Sequence, residues 1–252
     1  MAAKYKVPKI EELFEAGVHY GHQTKRWHPN MEPYIYTVRK KIHIIDLEKT
    51  EELLKKAADF LYEIAKEGGK IIFVGTKKQA GDIIEIEAKR SGALYITERW
   101  LGGTITNHSV IKKNNIDKLI ELKRRKEAGE LEKYTKKERL LIDREIEKLE
   151  RYVGGISTLS VLPKALFVID AKKEKTAVLE AKAAKVPVVA LADTNTNPEN
   201  IDYLIPGNDD AIKSIALITK TIADAIEAGI EDYGTKLKKE EKEDGSKKDK
   251  TT

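Results

Sequence analysis

The chain has 252 residues, room for one α/β domain plus an excursion, and 40% of them are hydrophobic, enough to fill a core. Its 47 Lys and Arg against 42 Asp and Glu leave a net charge of +5, a mild bias toward acidic partners. Zero cysteine excludes disulfides, thiol nucleophiles and Cys-ligated zinc; MAAKYKVPKI lacks a signal-type apolar stretch and no run of about 18 apolar residues occurs, so a cytoplasmic location without membrane contact is expected.

The first distinctive segment, Gly17 to Lys41, reads GVHYGHQTKRWHPNMEPYIYTVRKK. It gathers His19, His22 and His28 with Tyr20, Trp27, Tyr34 and Tyr36 among cations and amides. Cationic heads neutralise phosphates, aromatic faces stack on exposed bases, and amides and imidazoles reach ribose and base edges, which makes this arm an RNA-contact candidate. Eight Lys/Arg and four Asp/Glu lie between Lys4 and Lys41, so 8 − 4 = +4 of the net charge sits here. The pair His19 and His22 has no third ligand in the pattern, and no metal site is expected.

Beyond the arm, short apolar runs alternate with amphipathic ones, the rhythm of βα units. Ile42 to Asp46 reads as a strand. Leu47 to Lys66 reads as a helix with Leu53, Leu54, Ala57, Phe60, Leu61 and Ile64 on one face, stopped by Gly68-Gly69. A strand at Ile71 to Val74, a helix at Lys77 to Ser91 and a strand at Ala93 to Ile96 follow. From Asn107 to Tyr152 strand signals vanish and charge dominates, with Gly129 dividing two helical patterns. Thr135 and Glu138 have capping-box spacing, and Ile142, Ile146, Leu149 and Val153 repeat as a coiled-coil seam. Ile111, Ile116, Leu119, Ile120 and Leu122 offer the first arm's apolar surface. The βα rhythm resumes with a strand at Ala165 to Asp170, a helix at Glu174 to Lys185, strands at Pro187 to Ala192 and Tyr203 to Ile205, and a closing helix at Asp209 to Glu231 capped by Asp209 or Asn208. The expected organisation is an RNA-binding arm over residues 1–41, an α/β domain over 42–106 and 153–235, an inserted helical hairpin over 107–152, and a disordered charged tail over 236–252.

A doubly wound sheet binds ligands at its strand carboxyl ends, so an enzyme would use the loops near Thr76, Asp170 and Asp193. Gly75 and Gly81 fit neither a GxGxxG turn nor a phosphate loop, and no GxSxG or HExxH motif occurs. No cofactor and no small-molecule substrate are expected.

Several long irregular blocks carry a family resemblance: GVHYGHQTKRWHPNMEPYIY, KIHIIDLEKT, IIFVGTKKQA, ERWLGGTITN, ALFVIDA, VVALADTNTNP and IPGNDDAIKSI. In order and spacing, from about Val7 to Gly229, the chain resembles the bacterial small-subunit ribosomal protein S2 family. The resemblance implies a flavodoxin-like three-layer α/β/α sandwich with a five-stranded parallel sheet and an inserted coiled-coil helical hairpin. It further implies a non-enzymatic component of translation that binds small-subunit ribosomal RNA between head and body and neighbours other small-subunit proteins, including the large RNA-capturing first protein. The residues expected to face RNA are Gln23, Thr24, Lys25, Arg26, Trp27, His28 and Asn30, followed by the cationic run Arg39, Lys40 and Lys41. Lys77 and Lys78, at a helix N-terminus that favours anions, join them, with Arg99 before the Gly102-Gly103 bend and Lys112 and Lys113 in the hairpin.

Overall fold

The computed structural model describes residues 4–248, with side chains described through residue 236. Residues 1–3 of the arm and 249–252 of the tail lie outside the described residues. The arm contributes α1 (Ile10–Glu15), β1 (Tyr20–Gln23) and β2 (Ile35–Arg39), and the chain continues into β3 (Ile42–Ile45) and α2 (Leu47–Lys66). Asp46 caps α2 by accepting from Glu48 N at 3.1 Å. β4 (Ile71–Val74), α3 (Lys78–Ser91) and β5 (Leu94–Ile96) follow, then the hairpin: α4 (His108–Ile111), a π-helical segment Lys112–Ile116, α5 (Asp117–Glu127) and α6 (Lys136–Val153). The chain closes with β6 (Ala165–Ile169), α7 (Lys175–Ala183), β7 (Val188–Ala192), β8 (Tyr203–Pro206) and α8 (Ile212–Lys248).

Five strands form one parallel sheet in the order β5-β4-β6-β7-β8, the flavodoxin order, which reverses direction at β4. Every residue of β4, β6 and β7 is buried, because helices cover both faces. The pleat sorts the side chains. Ile71, Phe73, Phe167 and Ile169 point to the layer of α2, α3 and α8, with the Phe73 and Phe167 rings edge to face at 5.1 Å. Ile72, Val74, Leu166 and Val168 point the other way, onto α7 and the hairpin base.

Ile42 to Asp46 does not join that sheet. β3 is the centre of a separate three-stranded antiparallel sheet, order β1-β3-β2, so the expected boundary at residue 41 falls inside a β-hairpin. Its two-residue turn is Lys40-Lys41, both left-handed at φ 51° and 64°, where a type I′ turn favours Asn-Gly. The helical hairpin turns at Gly129, φ 70°, and Thr135 with Glu138 makes the expected capping box. Ile116, Leu119, Ile146, Leu149 and Val153 are buried in the same cluster as the sheet, and Ile142 and Leu122 pack against it. Ile120 is 52% exposed and lies off that seam, because helical phase turns it away from its neighbour Leu119. The closing helix starts later than expected, with Asn208 Oδ1 accepting from the amides of Asp210 and Ala211. It also runs through the segment expected to be disordered, as far as Lys248. A Lys- and Glu-rich segment that cannot bury surface can still extend a helix, since both are good helix formers.

Candidate nucleic-acid interface

The arm lies across the carboxyl ends of the sheet. Leu13, Val18 and Met31 are fully buried and anchor it. Gly21 approaches so closely that an added Cβ would stand 2.8 Å from Thr194 Cγ2 and 3.1 Å from the carbonyl oxygen of His43, which only glycine permits. The His22 amide donates to Asp193 Oδ1 and Thr194 Oγ1, both at 3.1 Å, and its Nδ1 pairs with Asp193 Oδ2 at 2.6 Å. Its Nε2 lies 3.6 Å from Asp210 Oδ2. The hydrogen bond to Asp193 raises the imidazole pKa against the opposing effect of burial. Farther along, His28 N donates to the Thr194 carbonyl at 2.8 Å, and Asn30 Nδ2 donates to Asn197 Oδ1 and Glu199 Oε1 at 3.3 and 3.1 Å.

Beneath this arm the crevice at the sheet's switch point is occupied by the protein's own charges. Lys77 Nζ sits 2.8 Å from Asp170 and 2.7 Å from each of Asp209 and Asp210. Desolvation lowers the ammonium pKa, but the Asp209 charge and the bonds to all three carboxylates outweigh it and the pKa rises. Asp209 is pushed up to about 7, first by burial and then by the Asp170 charge, against the pull of Lys77. Thr76 gives its amide and hydroxyl to Glu174 at 3.1 and 2.6 Å, and its carbonyl accepts from Lys173 at 2.9 Å. Lys77 is therefore not the phosphate ligand its position at a helix start suggested: three carboxylates distant in sequence already hold it. Asp170 and Asp193 brace loops, Asp170 by accepting from Lys173 N and Asp193 by holding the arm.

The outer side of the arm differs. Gln23, Lys25, Arg26, Trp27 and Asn30 are exposed, Thr24 and His28 half-buried, and Arg39, Lys40 and Lys41 exposed around the β2–β3 turn. Trp27 is 38% exposed and packs at 5.4 Å on the buried His43 ring, so it both anchors the arm and presents a face. Burial lowers the His43 pKa, which keeps that imidazole neutral beneath the indole.

Among the described residues Lys25, Arg26, Arg39, Lys40, Lys41, Lys78, Arg99, Lys112 and Lys113 have no ion-pair partner, unlike Lys77. They do not form one patch. The arm lies over the ends of β7 and β8, whereas Arg99 and the exposed Lys112 and Lys113 follow β5, the opposite edge strand. Sequence reasoning missed Glu180, whose carboxylate accepts from Trp100 Nε1, the amides of Gly103, Ile105 and Thr106, and the Thr106 hydroxyl, tying α7 to the hairpin base. A lone glutamate in an amphipathic helix carries no local sign of that role.

Such a molecule is a flavodoxin-topology α/β sandwich whose ligand crevice is closed by its own N-terminal arm, with cationic and aromatic groups on the arm's outer side. A family model described as ribosomal protein S2 matches residues 13–229. The chain is 51% identical over 220 residues to the small ribosomal subunit protein uS2 of Sorangium cellulosum, covering 87% of this chain and 79% of that one. It is 50% identical over 229 residues to the protein of the same name from Bdellovibrio bacteriovorus, covering 91% and 73%. The chain belongs to the ribosomal protein S2 family.

Proposed function

We propose that this chain is a structural constituent of the small ribosomal subunit in the cytoplasm and that it holds small-subunit ribosomal RNA between head and body without catalysing a reaction. The observation that carries the reading is the contrast between two sets of charges: those in the crevice are neutralised internally, and those on the arm have no internal partner. Gln23, Thr24, Lys25, Arg26, Trp27, His28, Asn30, Arg39, Lys40 and Lys41 form the main contact, with phosphates positioning the protein and the indole face available for a base. Lys78, Arg99, Lys112 and Lys113 contribute secondary phosphate contacts. Neighbouring small-subunit proteins, among them the large RNA-capturing first protein, are the expected protein partners.

An enzyme reading has little room. The loops at Thr76 and Asp193 that would receive a substrate are bonded to Glu174, Lys173 and the arm. Sedimentation of the tagged full-length protein from lysate tests the proposal. Cosedimentation with small subunits is expected, and a protein that remains at the top of the gradient at low salt contradicts it.

A further inference from the structure

Behind the arm, at the far side of the loop that follows β7, lies a cavity of about 350 Å³ to which no role has been given. That volume falls within the ~300–1,000 Å³ typical of small-ligand pockets. Its floor is apolar, formed in part by Val178 of α7 and Ile201. Two cations, Lys172 and Lys175, line it and are exposed without an ion-pair partner among the described residues. Nearby cations differ: Lys173 donates to the Thr76 carbonyl and Lys182 to Asn200.

The polar wall consists of amides with free ends. Asn195 uses its side-chain oxygen internally, accepting from the Thr196 hydroxyl, and Asn200 uses its own to accept from Lys182. Each keeps an NH2 group available to a ligand acceptor. His28, whose Nδ1 accepts from Asn30 N, belongs to both the arm and this cavity, so the cavity is continuous with the RNA-facing surface.

We propose that this cavity receives one extruded nucleotide of the ribosomal RNA, its base over Val178 and Ile201 with edge contacts from Asn195 and Asn200, and its phosphate between Lys172 and Lys175. An apolar floor alone would suit many ligands. Paired cations at its mouth beside free amides match the three parts of a nucleotide, and unstacked bases are the parts of RNA that proteins read by their edges. This inference rests on the RNA-binding reading above and adds to it a site for a single base.

The test compares affinity for a small-subunit ribosomal RNA transcript over a range of salt concentrations, using the full chain and three variants: Lys172→Ala/Lys175→Ala, Leu179→Trp and Lys25→Ala/Arg26→Ala. Leu179 lines the cavity and is 45% exposed, so Trp there fills the space without burying new bulk in the core, and urea midpoints check folding. The lysine variant is expected to bind about tenfold more weakly, with the salt slope reduced by about 1.4 for two lost phosphate contacts. The Trp variant is expected to lose comparable affinity with an unchanged slope. Parental binding by both cavity variants, alongside weakened binding by Lys25→Ala/Arg26→Ala, overturns the cavity proposal and leaves the RNA-binding reading intact. Failure of the unaltered chain to bind the transcript overturns both. Micromolar binding of free AMP or UMP, blocked by Leu179→Trp, would instead assign the cavity to a free nucleotide.

Discussion

Replacing His22 with Ala removes the side chain that latches the arm to the sheet. The imidazole contributes the 2.6 Å contact to Asp193 and the longer approach to Asp210, while the backbone amide of residue 22 keeps its bonds to Asp193 and Thr194. A hydrogen bond to a charged group contributes about 1.5–3 kcal/mol, and Asp193 Oδ2 would lose its imidazole partner. A loss of about 2 kcal/mol corresponds to about a 30-fold rise in the population of arms detached from the sheet. Hydrogen exchange read at the amides of residues 21–30 should accelerate by that factor at neutral pH, while the amides of β4 keep their protection. The pH dependence has a definite sign. The folded His22 pKa is raised above 6.5, so the latch is complete below 6.5 and weakens as the pH rises through the folded value. Between pH 6 and 9 the parent's arm should therefore loosen more than the variant's, and the difference isolates His22 from Asp209, which titrates in both. Equal exchange at residues 21–30 in parent and variant would refute the latch.

Asp209→Asn tests the crevice. Its folded pKa of about 7 lies above the ordinary 3.8, so the favourable contribution is complete below 3.8 and is lost as the pH rises through 7; ionisation there costs on the order of 4 kcal/mol. The Asn variant should gain up to about 4 kcal/mol in urea unfolding at pH 8 and show a flatter profile between pH 5 and 8, whereas lower stability would mean that the Lys77 pair outweighs the burial cost. Glu180→Gln turns an NH2 group toward donors that now share a carboxylate, and should cost about 2–3 kcal/mol and speed exchange at residues 103–106; no change would remove Glu180 as the clasp of the hairpin base. Lys40→Asn/Lys41→Gly relieves two left-handed non-glycine residues and removes two cations, so it should stabilise the protein by about 1–2 kcal/mol while weakening RNA binding. Unaltered RNA affinity in that variant would take the turn out of the contact surface.

Local pattern carried much of the fold. The helix over Leu47 to Lys66 and the strands at residues 71–74, 165–169 and 188–192 follow from apolar periodicity, because a strand covered on both faces is continuously apolar and a surface helix is not. What local pattern does not encode is partnership. Ile42 to Ile45 reads as a strand either way, and its pairing with β1 and β2 rather than the parallel sheet depends on residues that meet only in three dimensions. Lys77 shows the same limit. A lysine at a helix start resembles a phosphate ligand until Asp170, Asp209 and Asp210 are brought round by the crossovers. Glu180 was invisible for the same reason, since all its donors lie in a loop more than 70 residues away in sequence. The arm was more legible because its unusual composition is itself the signal. Its exposed cations are the expected ones, although its anchoring through Val18, Gly21 and His22 was not foreseen.

The most direct test of the RNA-gripping arm is the salt dependence of binding to small-subunit ribosomal RNA for the full chain and for Lys25→Ala/Arg26→Ala. Each phosphate contact contributes about 0.7–0.9 to the slope of log affinity against log salt, so the variant should bind more weakly with a slope smaller by about 1.4–1.8. An unchanged slope, with affinity equal to that of the unaltered chain, would contradict the account.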